Sequence, residues 1–101
     1  MFIYNVTTKV DHDIVTEWLQ WQKEIHIPEI MRTGFFTDHK FYKLLEHDDE
    51  AGCVFVTQYL ADSRNNYELY ISRAAAGLRK KAADKWGEKV VSFRTMLQTV
   101  E

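Results

Sequence analysis

The spacing of apolar residues changes along this chain, and each change marks a new element. Residues 2–10 are dense in β-branched and aromatic side chains (Phe2-Ile3-Tyr4-Asn5-Val6-Thr7-Thr8), which predicts a strand. From Ile14 the period lengthens. Ile14, Trp18, Trp21 and Ile25 recur at intervals of four, three and four, as on one face of a helix. Asp11 or Asp13 is placed to cap that helix, its carboxylate accepting from amides that lack a helical partner. Pro28 disfavours helical geometry at Ile27 and removes a backbone donor, so the helix is expected to kink or stop near there. Thr33-Gly34 marks the end of the region.

A run from about Lys40 to Glu46, the acidic turn His47-Asp48-Asp49-Glu50-Ala51-Gly52, and a second run from Cys53 to Leu60 predict an antiparallel hairpin. Asp62 or Ser63 then caps a second helix in which Tyr67, Ile71, Ala74 and Leu78 share a face. Gly77 weakens this helix slightly, and Gly87 suits the left-handed residue after its end. Lys89 to Val100 closes the chain as a long strand. The order β-α-β-β-α-β predicts an α+β fold, a ferredoxin-like sandwich with a four-stranded antiparallel sheet and both helices on one face. Residues 1–101 are expected to form a single domain of this kind.

Alternation within the strands carries the reading one step further. In the last strand Val90, Met96 and Val100 share one side, and Val91, Phe93 and Leu97 share the other. In the first, Phe2, Tyr4 and Val6 oppose Ile3. Neither face is polar. The helices cover one face, and a second copy of the chain is the economical cover for the other, so a homodimer packed sheet to sheet is expected.

Composition narrows the function classes. The chain is 46% apolar and 14% aromatic, with a net charge of -2. Phosphate binding needs a concentrated basic surface, so nucleic acid is not expected as a partner. The one dense basic cluster, Arg79-Lys80-Lys81 with Lys85, shares its helix with Asp84 and reads as a solvated face. Cys53 is the only cysteine, which leaves no intrachain disulfide and no cysteine-based zinc site. In Cys53-Val54-Phe55-Val56 it reads as a small buried hydrophobe. The start, Met1-Phe2-Ile3-Tyr4-Asn5, has neither the basic region nor the apolar core of a signal peptide, and no apolar run approaches a membrane span. A cytoplasmic protein with no membrane partner is expected.

Three segments carry a resemblance. Ile3-Tyr4-Asn5-Val6-Thr7, the stretch from Glu17-Trp18-Leu19 to His26-Ile27-Pro28-Glu29, and Phe93-Arg94-Thr95-Met96-Leu97 are similar to the bacterial family of domain of unknown function 4286. The resemblance extends over nearly the whole chain, with His-Ile-Pro-Glu and Phe-Arg-Thr its more specific parts. It implies membership of the dimeric α/β-barrel superfamily, alongside small cofactor-free monooxygenases, muconolactone isomerase and stress-responsive barrel proteins. It implies a fold and a dimer, and no reaction, because fold does not fix chemistry.

Candidate chemistry gathers around the first helix. His26 falls between Val15 and Leu19 around the helical circle, at the flank of the apolar stripe. A neutral imidazole there could act as a base or orient a ligand oxygen, which makes it the candidate catalytic residue. Its plainer role is to bond a backbone carbonyl near the proline and help close the helix. Trp18 and Trp21 could wall a flat ligand, or simply pack the core. Arg94 lies mid-strand beside Ser92, Met96 and Gln98. It must reach water, a carboxylate across the dimer, or the carboxylate of a small acid. Asn5 and Gln58, on strands expected to be central, need internal partners or water, and Tyr59 nearby could donate a hydrogen bond.

No cofactor and no metal are expected. His39 and His47 share a strand face but stand about 27 Å apart if the chain is extended throughout. His12, between Asp11 and Asp13, sits in a cap rather than a ligand set. Glycine-rich phosphate loops, nucleophile elbows and zinc-helix motifs are missing from the sequence. Two functions follow. One is a small-molecule binding protein or cofactor-independent enzyme, with a pocket between the first helix and the sheet lined by Trp18, Trp21, His26, Tyr59 and Arg94. The other is a non-catalytic homodimeric interaction module.

Overall fold

The structure, a computed structural model, describes residues 1–46 and 52–101. Its elements come in the expected order: β1 (Phe2–Asp11), a first helix, β2 (Asp38–Lys43), β3 (Gly52–Ala61), a second helix, and β4 (Val90–Gln98). The strands form one antiparallel sheet in the order β2-β3-β1-β4. The expected turn over His47–Gly52 lies, except for Gly52, outside the described residues. The strands it would join do pair as a hairpin, Phe41 opposite Thr57.

Strand alternation resolves the two faces. On β3 buried and half-buried residues alternate along the whole strand, with Cys53, Phe55, Thr57, Tyr59 and Ala61 facing the helices. Tyr4, Thr8 and Val10 of β1 share that inner side, opposite Tyr59, Phe55 and Cys53. On β4 the inner side carries Val90, Ser92, Arg94 and Met96, opposite Val10, Thr8, Val6 and Tyr4. The outer face is bare. Val91 and Phe93 are 64% and 62% exposed, and Leu97 is exposed beside them. At its thinnest the molecule measures 19 Å, the depth of one sheet and one layer of helices.

Asn5 and Gln58 lie on this outer face as a cross-strand pair. Gln58 Nε2 donates to Asn5 Oδ1 at 3.2 Å, and Asn5 Nδ2 donates to Thr95 Oγ1 at 3.3 Å. The result is a polar row running from β3 across β1 to β4. It is bracketed by Ile3, Leu60 and Leu97 on one side and by Val56 and Phe93 on the other.

Both helices change their winding midway. The first is α-helical over α1 (Val15–Trp21), widens into a π turn over Gln22–His26, and resumes as α2 (Ile27–Arg32). The second consists of α3 (Arg64–Tyr70), a π turn over Ile71–Ala75, and α4 (Ala76–Trp86). The first helix therefore does not stop at Pro28, which sits in the opening turn of α2 where a missing N–H costs least. Gly34, at φ 81°, follows its end, and Gly87, at φ 58°, follows the end of the second helix.

A π turn holds one residue more than an α turn, so it rotates everything beyond it. Ile25, expected on the apolar stripe, is consequently 47% exposed, and Ile27 and Ile30 are buried in its place. The caps also divide. Ser63 Oγ accepts from the Asn66 amide at 3.1 Å, as one of the two expected arrangements had it. At the first helix no aspartate side chain caps. A 3-10 turn over His12–Ile14 precedes α1, and the Asp13 carboxylate pairs with Lys89 instead.

Two packed clusters fill the space under the helices. One centres on Tyr4, Phe36, Tyr59 and Tyr70, the other on Val10, Trp18, Cys53 and Phe55. Cys53 is a buried small side chain, as expected, with His12 Nδ1 3.6 Å from its sulfur.

Candidate functional site

Between the two clusters the packing leaves a cavity bounded by both helices and the inner face of the sheet. Tyr4, Tyr59 and Tyr70 line it from one cluster, and Trp18 and Trp21 from the other. His26, Trp86, Arg79 and Arg94 complete its polar wall, and among the described residues no aspartate or glutamate lines it. Its volume of about 50 Å³ is room for a few water molecules or one small ligand group.

The π turns set this wall. Beyond Gln22–His26 the rotation carries His26 from the flank of the stripe onto Trp21. Imidazole and indole lie nearly parallel there, with centroids 4.5 Å apart and planes 15° from each other. Trp86 also meets Trp21, edge-on at 5.7 Å. Gln22, buried at the start of the turn, donates to Thr57 Oγ1 at 3.3 Å and ties the helix to β3. On the second helix Tyr70 and Ala75 are both buried although five residues apart, the spacing of the wide turn. Past it the inward positions become Arg79, Ala82 and Trp86, all on the cavity.

Polar satisfaction around the cavity is incomplete. His26 Nδ1, Tyr59 Oη and Trp86 Nε1 are buried and have no hydrogen-bond partner among the described residues. Burial holds the His26 pKa down to about 4, with Arg94 and Lys81 adding to the effect and Glu29 opposing it. The ring is therefore neutral at physiological pH. Burial pushes the Tyr59 and Tyr70 hydroxyls up, so both remain protonated donors. A neutral imidazole facing two protonated phenols can accept one proton or hydrogen bond and present others to the same ligand.

At one end of the cavity two cations meet on one oxygen. Arg79, from α4, donates through Nη2 to Tyr4 Oη at 2.9 Å, and Arg94, from β4, donates through Nε to the same atom at 3.0 Å. Arg94 thus lies on the helix-covered side of the sheet. The ion pair across a sheet-to-sheet dimer, one of its expected fates, is ruled out by that orientation. Arg79 also departs from expectation. Its neighbours behave as a solvated face, Lys80 bound to Asp84 and Lys81 to Glu29, but Arg79, though exposed along its length, reaches with its guanidinium to buried Tyr4.

The five residues singled out in the sequence, Trp18, Trp21, His26, Tyr59 and Arg94, all line this one cavity. Trp18 is mainly core, packed against Phe41 and Phe55. Tyr4, Tyr70, Arg79 and Trp86 were not singled out for the site. The spacing of Ala75, Arg79, Ala82 and Trp86 is a second helical stripe, and it is the signal that would have found the last two.

Among the described residues no helix is long and apolar enough to cross a membrane. No curated protein matches the chain. Solved structures do, over nearly their full length and at identities that show the fold alone. A dimeric ferredoxin-like protein from an uncultured marine organism superposes with a TM-score of 0.70 at 12% identity, covering 100% of this chain and 96% of its own. An ethyl tert-butyl ether d (ethd) family protein from Bacillus halodurans gives 0.67 at 10%, covering 99% and 100%. SnoaB, a cofactor-independent oxygenase from Streptomyces nogalater, gives 0.67 at 14%, covering 99% and 94%. These likenesses bear out the ferredoxin-like α+β architecture. The family profile described as Domain of unknown function (DUF4286) matches residues 1–100, and the protein belongs to that family.

Proposed function

We propose that this protein binds a small organic molecule in the cavity between the first helix and the sheet, and that it does so as a homodimer. One observation carries the ligand reading: the three buried side-chain polar atoms without a partner among the described residues, His26 Nδ1, Tyr59 Oη and Trp86 Nε1, belong to residues lining the same cavity. Buried polar groups are normally satisfied, and leaving one bare costs about 1–3 kcal/mol. A ligand with oxygen acceptors and an ionisable hydrogen would satisfy all three. Trp21 and His26, already stacked, offer it a flat wall.

In an enzymatic version of this reading His26 is the proton acceptor. Its low pKa suits it to a substrate proton that is itself acidic, and a bound anion would raise its basicity. The similarity to a cofactor-independent oxygenase supports chemistry of a kind that draws on the substrate and the protein's own side chains.

The dimer rests on the outer sheet face. Val91, Phe93 and Leu97 form an exposed apolar row there, and the polar row through Asn5 can fix the register of a second sheet laid on it. The marine relative is named as dimeric, which supports the same assembly. That face also favours a second reading, a non-catalytic module whose value lies in association.

A thermal-shift screen of small oxygen-bearing aromatic and aliphatic molecules, run on wild type and on His26→Ala, separates the two. Ligands that raise the melting temperature of the wild type and not of the variant are expected. A screen in which no compound distinguishes the two proteins leaves the module.

A further inference from the structure

The end of the cavity at Arg79, Arg94 and Tyr4 makes a narrower statement about the ligand. Each arginine nitrogen lies within 3.0 Å of Tyr4 Oη, so the two donors are at most about 6 Å apart. Among the described residues neither guanidinium has a carboxylate partner. The lysines nearby behave differently: Lys80, Lys81 and Lys89 each have one. Both arginines are exposed residues, yet their guanidinium groups are drawn together on one oxygen of a buried phenol, where two like charges repel each other.

The hydrogen-bond inventory of Tyr4 sharpens this. A phenol has one proton to give and two lone pairs to receive. Accepting from Arg79 and from Arg94 fills both lone pairs, so the remaining bond Tyr4 can make is the donation of its own O–H. No acceptor for that proton is present among the described residues. Tyr4 is itself buried, held among the rings of Phe36, Tyr59, Tyr67 and Tyr70, so its hydroxyl is fixed at the cavity. The Tyr4 proton and the remaining N–H groups of two guanidiniums therefore gather at one place with no acceptor for them among the described residues. A second hollow beside it is lined by Arg79, Arg94, Ser92, Ala82, Gly87 and their neighbours, again with no acidic residue among the described ones. The arginines stand between the two.

We infer that Arg79, Arg94 and Tyr4 form a carboxylate-binding subsite, and that the ligand of the cavity is a small carboxylic acid whose carboxylate they hold. This rests on the reading of the cavity as a ligand site and goes further by naming the group. A carboxylate supplies acceptor lone pairs for two guanidinium forks and a phenol proton at once, and it neutralises the paired cations. Two guanidiniums and one phenol match the acceptors of a carboxylate, whereas a phosphate carries more oxygens and charge than these three groups serve. With the carboxylate anchored here, the body of the acid extends toward Trp21 and His26. Any second oxygen it carries then meets Tyr59, His26 or Trp86.

Tryptophan emission tests this, because Trp18, Trp21 and Trp86 line the cavity. The probes are benzoate, 4-hydroxybenzoate, cinnamate and 2-oxobutanoate, each beside its own carboxamide, with inorganic phosphate as a separate arm. Expected is saturable binding of at least one acid, about tenfold or more tighter than its amide, and weakened by salt. Arg79→Gln and Arg94→Gln should each weaken the acid by about tenfold or more and leave the amide unchanged. Tyr4→Phe, which keeps the ring, should weaken the acid by less. Thermal melts of each variant establish that it is folded. Acids and amides that bind alike, with no effect of either arginine, overturn the carboxylate subsite and leave a site for neutral ligands. Phosphate that binds as well as the best acid overturns the choice of carboxylate. Failure of every acid and every amide to bind overturns the ligand site together with the subsite.

Discussion

The imidazole of His26 lies on the indole of Trp21, centroids 4.5 Å apart, with its Nδ1 buried and unbonded. That placement makes stability depend on pH in a definite direction. The ring titrates near 6.5 when exposed and near about 4 in the folded protein. Between those values the unfolded chain holds more protons than the folded one, so stability falls as the pH drops through that window. The whole shift corresponds to as much as about 3 kcal/mol, roughly 2 of it already lost by pH 5. Urea midpoints at pH 7 and pH 5 should differ for the wild type and much less for His26→Phe. Equal pH slopes in the two proteins would place the titration elsewhere. Asp13 and Glu29 do not confuse the comparison, since Lys89 and Lys81 hold their carboxylates below the ordinary range.

Tyr59→Phe removes a buried hydroxyl that has no partner among the described residues. Most buried hydroxyls stabilise a fold, but here the ligand-free protein should be unchanged or about 1 kcal/mol more stable, while affinity for an oxygen-bearing ligand falls. A melting curve and a binding titration on the same variant check both halves. A loss of several degrees without ligand would mean the hydroxyl has a structural bond after all.

Two glycines should respond in opposite ways to alanine. A Cβ on Gly52 would run into the Val10 carbonyl across the β1–β3 ladder, which no flexible side chain can relieve. Gly52→Ala is expected to cost about 1–3 kcal/mol. Gly77 stands in α4 with nothing near its missing side chain, so Gly77→Ala should stabilise by about 0.5–1 kcal/mol. Paired denaturation curves decide the sign of each.

The outer face can be tested without touching the cavity. Phe93 is 62% exposed in the single chain and sits beside the polar row. Phe93→Asp should leave the circular dichroism spectrum intact and turn a sedimenting dimer into a monomer. A variant that still sediments as a dimer would move the interface to another surface.

Much of this architecture was legible from the sequence. Alternation on β1 and β3 and the stripe of Ile14, Trp18 and Trp21 are local signals, and the strands and helices they predict are present. Parity set Arg94 on one face with Ser92 and Met96, but which face the helices cover was not fixed, so an ion pair across the dimer stood open until the fold was known. What the pattern could not carry across was a change of helical pitch. Fixed spacing put Ile25 inside and His26 at the flank, and it read Arg79 with the solvated lysines. The residues beyond each π turn are displaced from where a uniform helix would hold them. Tyr4 escaped notice for another reason. Its role comes from two arginines that lie 75 and 90 positions away along the chain, a convergence that no local period records.

Each wide turn is what remains when one extra residue is threaded into a regular helix. Excising a single residue, Ile25 in the first helix or Ser72 in the second, would let that helix close to an even pitch. His26, or Arg79, would then swing about a quarter-turn away from the cavity while the sheet stayed as it is. An alignment of this chain with a relative that winds evenly therefore needs a one-position gap inside each helix. Without those gaps, the histidine and the arginine would be compared with the wrong neighbours.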